Sequence, residues 1–114
     1  MSKAFNIGSA RIDISAIAGD TIDMSFSVAF NGVAYDMTGM QLDMKIVYEL
    51  SGITERTLSS AGTSPALTIS TSTFNILTTP FINPGVYKYD LQLTNGTVVS
   101  TIGGGDIEIL PQIT

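Results

Sequence analysis

A chain of 114 residues with a formal charge of −5 and no cysteine holds one domain, with no disulfide framework and no thiolate chemistry, and fits a reducing compartment. Its five basic residues, Lys3, Arg11, Lys45, Arg56 and Lys88, are scattered rather than striped, which argues against nucleic acid or an anionic membrane as a partner. Only 13% of the residues are charged, about half the usual ~25%, yet no apolar run reaches the ~18 residues of a membrane-spanning helix. A weakly charged chain of this kind is expected to cover part of its surface with protein partners.

In chain order, Met1-Ser2-Lys3-Ala4-Phe5-Asn6 has no apolar stretch of the signal-peptide kind. Residues 1–10 read as an N-terminal arm and 11–114 as one folded module. Arg11–Ala16 is the first strand candidate, and Gly19-Asp20 a turn. Ile22, Met24, Phe26, Val28 and Phe30 then alternate with Asp23, Ser25, Ser27 and Ala29, the period-two pattern of a half-buried strand. Asn31-Gly32 is a hairpin signal, because a type I′ turn needs positive φ at both central positions; Val33–Tyr35 follows it. After Thr38-Gly39, the run Leu42, Met44, Ile46 and Tyr48 repeats the alternation, and beyond Ser51-Gly52 lies the candidate Ile53–Leu58. Ser59–Pro65 reads as an open surface loop, Ala66–Ser70 and Thr73–Leu77 as strands, and Thr78–Pro84 as a second loop. Past Pro84-Gly85, Tyr87, Tyr89, Leu91 and Leu93 alternate with Lys88, Asp90 and Gln92; Asn95-Gly96 is a second hairpin signal, before Thr97–Ile102 and Asp106–Leu110. There is no capped helical stripe and no internal repeat. The fold class is all-β, a single immunoglobulin-like antiparallel β-sandwich of about seven to nine strands, with a small barrel as the alternative.

Little of this carries chemistry. With no histidine, Ser-His and Cys-His catalysis and His-liganded metals are excluded. The ten acids sit largely in polar slots of alternating strands or in turns, so no catalytic residue is assigned and the chain is read as not an enzyme. Asp13, Asp20 and Asp23 lie close enough to suggest calcium but lack the spacing of a calcium loop, so neither metal nor cofactor is assigned. Gly103-Gly104-Gly105 leads into two acids rather than a helix, so it reads as a bend, bulge or tight contact and not a phosphate loop. Asn95-Gly96-Thr97 matches a glycosylation sequon that the hairpin already explains. Phe26, Phe30, Tyr87 and Tyr89 are in phase with the apolar faces and are expected in the core, whereas Phe5 and Phe81 are the candidates for exposed contact. Met24, Met40 and Met44 are expected to fill gaps in the core. The uncharged run Thr97–Ile102 is either a covered central strand or an edge open to strand addition.

Several short motifs follow one another in a familiar order: Arg11-Ile12-Asp13-Ile14, Gly19-Asp20-Thr21, Tyr35-Asp36-Met37-Thr38-Gly39, Pro84-Gly85-Val86-Tyr87-Lys88-Tyr89-Asp90-Leu91, and Gly105-Asp106-Ile107-Glu108-Ile109. Together they resemble, over roughly 11 to 114, the small immunoglobulin-like modules of tailed phages, found as the N-terminal domain of upper baseplate proteins and in related head-fibre and tail-associated proteins. The resemblance implies that Asp36 and Thr38 organise a turn ending at Gly39, that Gly85 starts a strand and that Tyr87 and Tyr89 fill one face. It also implies a virion structural protein, assembled in the host cytoplasm, that docks on tail, baseplate or capsid proteins as an adaptor or decoration module and forms a symmetric oligomer. Those proteins carry a stalk and a receptor-binding region beyond the module, and this sequence stops before one, which favours an adaptor over a fibre. A host-surface glycan-binding module is the alternative, with Ser59–Pro65 or Thr78–Pro84 as its expected platform; partner-contact residues are left unassigned.

Overall fold

A computed structural model describes residues 2–6 and 10–112, with side chains from Arg11 to Gln112. Among the described residues every regular element is a strand: β1 (Ser2–Asn6), β2 (Ala10–Arg11), β3 (Ile14–Ile17), β4 (Ile22–Phe30), β5 (Val33–Ala34), β6 (Gln41–Tyr48), β7 (Thr54–Ser59), β8 (Leu67–Ser70), β9 (Thr73–Thr78), β10 (Gly85–Asn95) and β11 (Val98–Leu110). One sheet runs β1-β4-β9-β8 with β5 added to β4; the other runs β2-β11-β10-β6-β7 with β3 also on β11. Pairing is antiparallel except at the start of the chain, where β1 lies parallel to β4 and β2 and β3 lie parallel to β11. The first strands thus cross from one sheet to the other.

The alternation in the sequence builds the space between the sheets. Phe26, Val28, Leu42, Met44, Ile46, Leu67, Phe74, Ile76, Tyr87, Leu91, Ile107 and Ile109 are all buried there, and Phe26 stacks on Phe74 with ring centroids 5.2 Å apart. Burying an apolar side chain of this size stabilises by about 1.5–3 kcal/mol. Met24 and Met40 are partly buried against this core and Met44 is within it. Every buried side-chain polar atom among the described residues has a partner. Tyr87, near the start of β10, donates its hydroxyl to the carbonyl of Asn83 at 2.9 Å, the tyrosine-corner arrangement of immunoglobulin-like sandwiches.

Five local expectations change. Phe30 is 51% exposed because β4 outruns the last core layer, while Phe81, expected at the surface, is 1% exposed and packs edge-on against Tyr87 at 4.8 Å. The side chain of Phe5 lies outside the described residues. Asn31 (φ 53°) and Gly32 (φ 78°) form the hairpin as read, but the second hairpin turns one residue later: Asn95 pairs with Val98, and only Gly96 (φ 64°) of the two loop residues is left-handed, the pattern of a type II′ turn. Thr97–Ile102 and Asp106–Leu110 are one strand, β11, which passes through the three glycines with an extra residue, Ile102, at a bulge opposite Leu91 and Gln92. A Cβ on Gly104 would lie 2.7 Å from the Tyr89 carbonyl oxygen, and one on Gly105 would overlap the carbonyl of Ile12. Finally, Arg11–Ala16 divides into β2 and β3 at Ile12-Asp13, where the Asp13 carboxylate accepts the backbone N–H of Asp106 at 3.0 Å.

Candidate docking surface

Charge is divided unequally between the sheets. The strands of the first sheet carry two charged residues, Lys3 and Asp23, whereas those of the second carry Arg11, Asp43, Lys45, Glu55, Arg56, Lys88, Asp90, Asp106 and Glu108. On the second sheet's outer face Asp106 is held by Lys88 and Arg11, each at 3.0 Å, and Lys88 also reaches Glu49 at 3.6 Å. The Lys88 hydrogen bond keeps the Asp106 carboxyl below its ordinary pKa, and Asp106 in turn raises the Lys88 ammonium. On the first sheet Asn75 links Asp23 and Ser25 into a hydrogen-bonded ladder, donating to Asp23 at 3.1 Å and accepting from the Ser25 hydroxyl at 2.9 Å. The three acids considered for calcium therefore part company: Asp13 serves the junction with β11, Asp23 the ladder with Asn75 and Ser25, and Asp20 a turn. Asp36 accepts from both the N–H and the hydroxyl of Thr38, at 2.9 and 2.6 Å; these bonds organise the turn to Gly39 and hold the carboxyl low.

The exposed apolar side chains gather at the two ends of the sandwich. Phe30, Val33, Val98 and Val99 stand at the end that carries the two tight hairpins. Val98–Ile102 has β10 on one side and, among the described residues, no strand opposite, since β2 joins β11 only at Gly103. At the other end are Leu50, Ile53 and Ile82, exposed by 86%, 68% and 75%.

Here the fold makes a groove of about 300 Å³ lined by Tyr48, Ser51, Ile53, Thr54, Glu55, Asn83 and Tyr87. A bulge in β7 shapes it. Ile46 pairs with Arg56 and Val47 with Thr54, so Glu55 is the extra residue and Arg56 is turned to the core-facing side together with Leu58. From there its guanidinium bonds Thr78 Oγ1 (3.1 Å), the Thr79 carbonyl (2.8 Å) and Thr79 Oγ1 (3.1 Å), and lies 4.1 Å from the Phe81 ring centroid. This ties the second loop of the sequence reading to the sheet edge. Glu55 meets Arg56 at 3.0 Å and adds a carboxylate to the groove. Burial and then the Glu55 charge push the Tyr87 phenol above its ordinary value. The facing ring, Tyr48, passes over Gly85, where a Cβ would stand 3.0 Å from it.

The other loop, Ser59–Pro65, contributes Ser60 and Ala61 to a more open depression of about 390 Å³ at the hairpin end, beside Gly39, Met40, Gln41, Thr94 and Gly96. The sequence marks both loops, but not Leu50, Ile53, Ile82 and Arg56 as surface or groove residues. The available signal was large aliphatics beside turn residues, Leu50 before Ser51-Gly52 and Ile82 before Asn83-Pro84.

No protein-family model and no curated protein matches the sequence. Among solved structures, the fold is similar to the N-terminal domain of phage TP901-1 ORF48, with a TM-score of 0.56 over 96% of this chain and 99% of that one. An uncharacterized protein from Bacillus anthracis str. Ames aligns over 96% of this chain and 86% of its own at a TM-score of 0.38 and 18% identity. At 7% identity, what the chain shares with the phage domain is its sandwich.

Proposed function

We propose that this chain is a non-enzymatic structural module of a bacteriophage particle, acting as an adaptor or decoration piece that docks on tail, baseplate or capsid proteins. The observation that carries the reading is the correspondence, nearly complete in both directions, with a phage protein's N-terminal domain. The distribution of surface supports it: one charged sheet face suits solvent, and apolar side chains collect at both ends, where a partner would cover them. A docking interface of more than about 1,000 Å² is expected, and assembly in the host cytoplasm would place the chain in the virion. Mass spectrometry of purified particles of the encoding phage tests this. A stoichiometric band of the chain supports the reading, and its absence from washed particles would remove it. Light scattering on the isolated chain then separates a symmetric oligomer from a monomer that waits for its scaffold.

The mixed lining of the groove, with Tyr48 beside Glu55 and Asn83, favours a second reading, a glycan-binding module of the particle. Binding of the isolated chain on a glycan array would support it, and a blank array would set it aside.

A further inference from the structure

We propose that the groove between Tyr48, Ile53 and Asn83 receives a large aliphatic side chain of a partner protein, with a lysine or arginine beside it that pairs with Glu55. The inference rests on the docking reading and names the chemistry of the partner at one end of the module.

Three observations point the same way. The first is the rim. Leu50 precedes the lining residue Ser51, Ile82 precedes Asn83, and Ile53 lines the groove itself; all three are more than two-thirds exposed. Sugars stack on open aromatic faces, whereas the open apolar surface here is aliphatic and Tyr87, in the floor, is only 2% exposed. Aliphatic surface is what another protein's side chain covers most favourably.

The second is preorganisation. The Tyr87 hydroxyl is fixed to the Asn83 carbonyl, Phe81 abuts Tyr87, and Arg56 fastens Thr79. Tyr48 is seated in the space that Gly85 leaves open. A groove built this way gives up little freedom when it is filled.

The third is charge. Glu55 is the carboxylate of the lining, and its effect at Tyr87 ranks above the opposing effect of Arg56. Two cations on the neighbouring strands are engaged elsewhere or within the lining: Arg56 with Glu55 and the loop, and Lys88 with Asp106 and Glu49. With a chain charge of −5 on top of this, the favoured incoming charge is positive, and phosphates or acidic peptides are repelled.

The test is an NMR titration of the full isotope-labelled chain with three probes: N-acetyl-Leu-Lys-amide, N-acetyl-Leu-Glu-amide and methyl glucoside. The expected result is shifts at Ile53, Glu55 and Asn83 with the Lys peptide, at a Kd on the order of 1 mM. The Lys peptide should bind about threefold tighter than the Glu peptide, as a partly exposed ion pair allows. Glu55→Gln should erase that preference, and Leu50→Ser, at a position 86% exposed, should weaken both peptides with the fold intact. Equal binding of the two peptides, shifts with the glucoside alone, or no shifts at the groove would each overturn the proposal. The particle analysis is independent. Virions that incorporate a Leu50→Ser/Ile82→Ser chain normally would sink the groove assignment and keep the module. Peptide binding by a chain absent from particles would do the reverse.

Discussion

The Arg56 guanidinium lies 4.1 Å from the centroid of the Phe81 ring, so that a strand at the edge of one sheet covers a loop residue that plugs the gap between the two. Truncating Arg56→Ala removes this contact together with bonds to Thr78 and Thr79. A loss of about 2 kcal/mol in urea unfolding is expected, from a cation–π contact and charge-assisted hydrogen bonds at a partly buried site. Arg56→Lys should recover less than half, because an ammonium cannot reproduce the planar fork. A change within about 0.5 kcal/mol, the range of ordinary surface positions, would show the clamp to be idle.

Phe81→Ala is expected to cost about 3–5 kcal/mol, as large-to-small changes in a core do. Phe30→Ala, on the exposed end of β4, should cost under about 1 kcal/mol. Denaturant midpoints of the two variants decide this, and similar values would contradict the exchange of roles.

That exchange marks where sequence reading stops. Periodicity found β4, β6 and β10, because a strand covering one layer must alternate, and it recovered the core positions Phe26, Met44 and Leu91. Periodicity does not show where the core ends along β4, so it puts Phe30 inside, where the structure exposes it. Nor could it show that an irregular loop folds back between the sheets, which is a tertiary fact of Phe81, Arg56 and Tyr87. The three glycines read as a bend, bulge or tight contact, and the structure shows a bulge beside Gly103 and close contacts at Gly104 and Gly105; the continuity of β11 through them leaves no sequence signal, since glycine weakens any strand pattern. The candidate docking surface is the least legible part. Leu50 and Ile82 sit beside turn residues, and an exposed aliphatic leaves no periodic trace.

Gly105→Ala should destabilise by about 2–3 kcal/mol, because the added methyl meets the backbone carbonyl of Ile12 rather than a movable side chain. The damage should be local to the β2–β3 junction, read as faster amide exchange at Ile12 and Asp106, whose N–H groups bond Gly104 and Asp13. Unchanged exchange there would place the strain elsewhere.

Stability should fall in alkali. Burial raises the Tyr89 phenol, whose hydroxyl donates to the Ile12 carbonyl, and burial and Glu55 raise Tyr87. The Asp106 hydrogen bond raises the Lys88 ammonium in the same direction. For each group the folded state holds its proton more tightly, so the stabilisation is complete below the ordinary pKa of about 10 and is lost as pH rises beyond it. Tyr89→Phe should cost about 1 kcal/mol at neutral pH, for the hydrogen bond to Ile12, and flatten the alkaline decline. An equally steep decline in that variant would assign the effect to Lys88 and Tyr87.

Thr71 is a β-branched residue held at φ 56°, in the turn between β8 and β9, where its carbonyl accepts the Met37 N–H at 2.8 Å. A left-handed conformation costs such a residue about 1–2 kcal/mol, and asparagine less. Thr71→Asn should therefore raise stability by up to about 1 kcal/mol, visible as a higher denaturant midpoint at constant slope. A lower midpoint would mean that the threonine side chain contributes more than its backbone strain costs.

The crossing of the first strands between sheets sets an order of events in folding. Ile14 pairs with Ile107, and Asp13 accepts the N–H of Asp106, a separation of 93 residues, while β1 lies along β4 in the opposite sheet. The hairpins β4–β5, β8–β9 and β10–β11 join near neighbours and can form early, but the clasp of β2 and β3 waits for the last strand to arrive. During synthesis the N-terminal segment must remain unpaired on its second side until β11 has left the ribosome. The sandwich is therefore closed by β11, and the clasp between its first strands and the second sheet stays open until translation has delivered that strand.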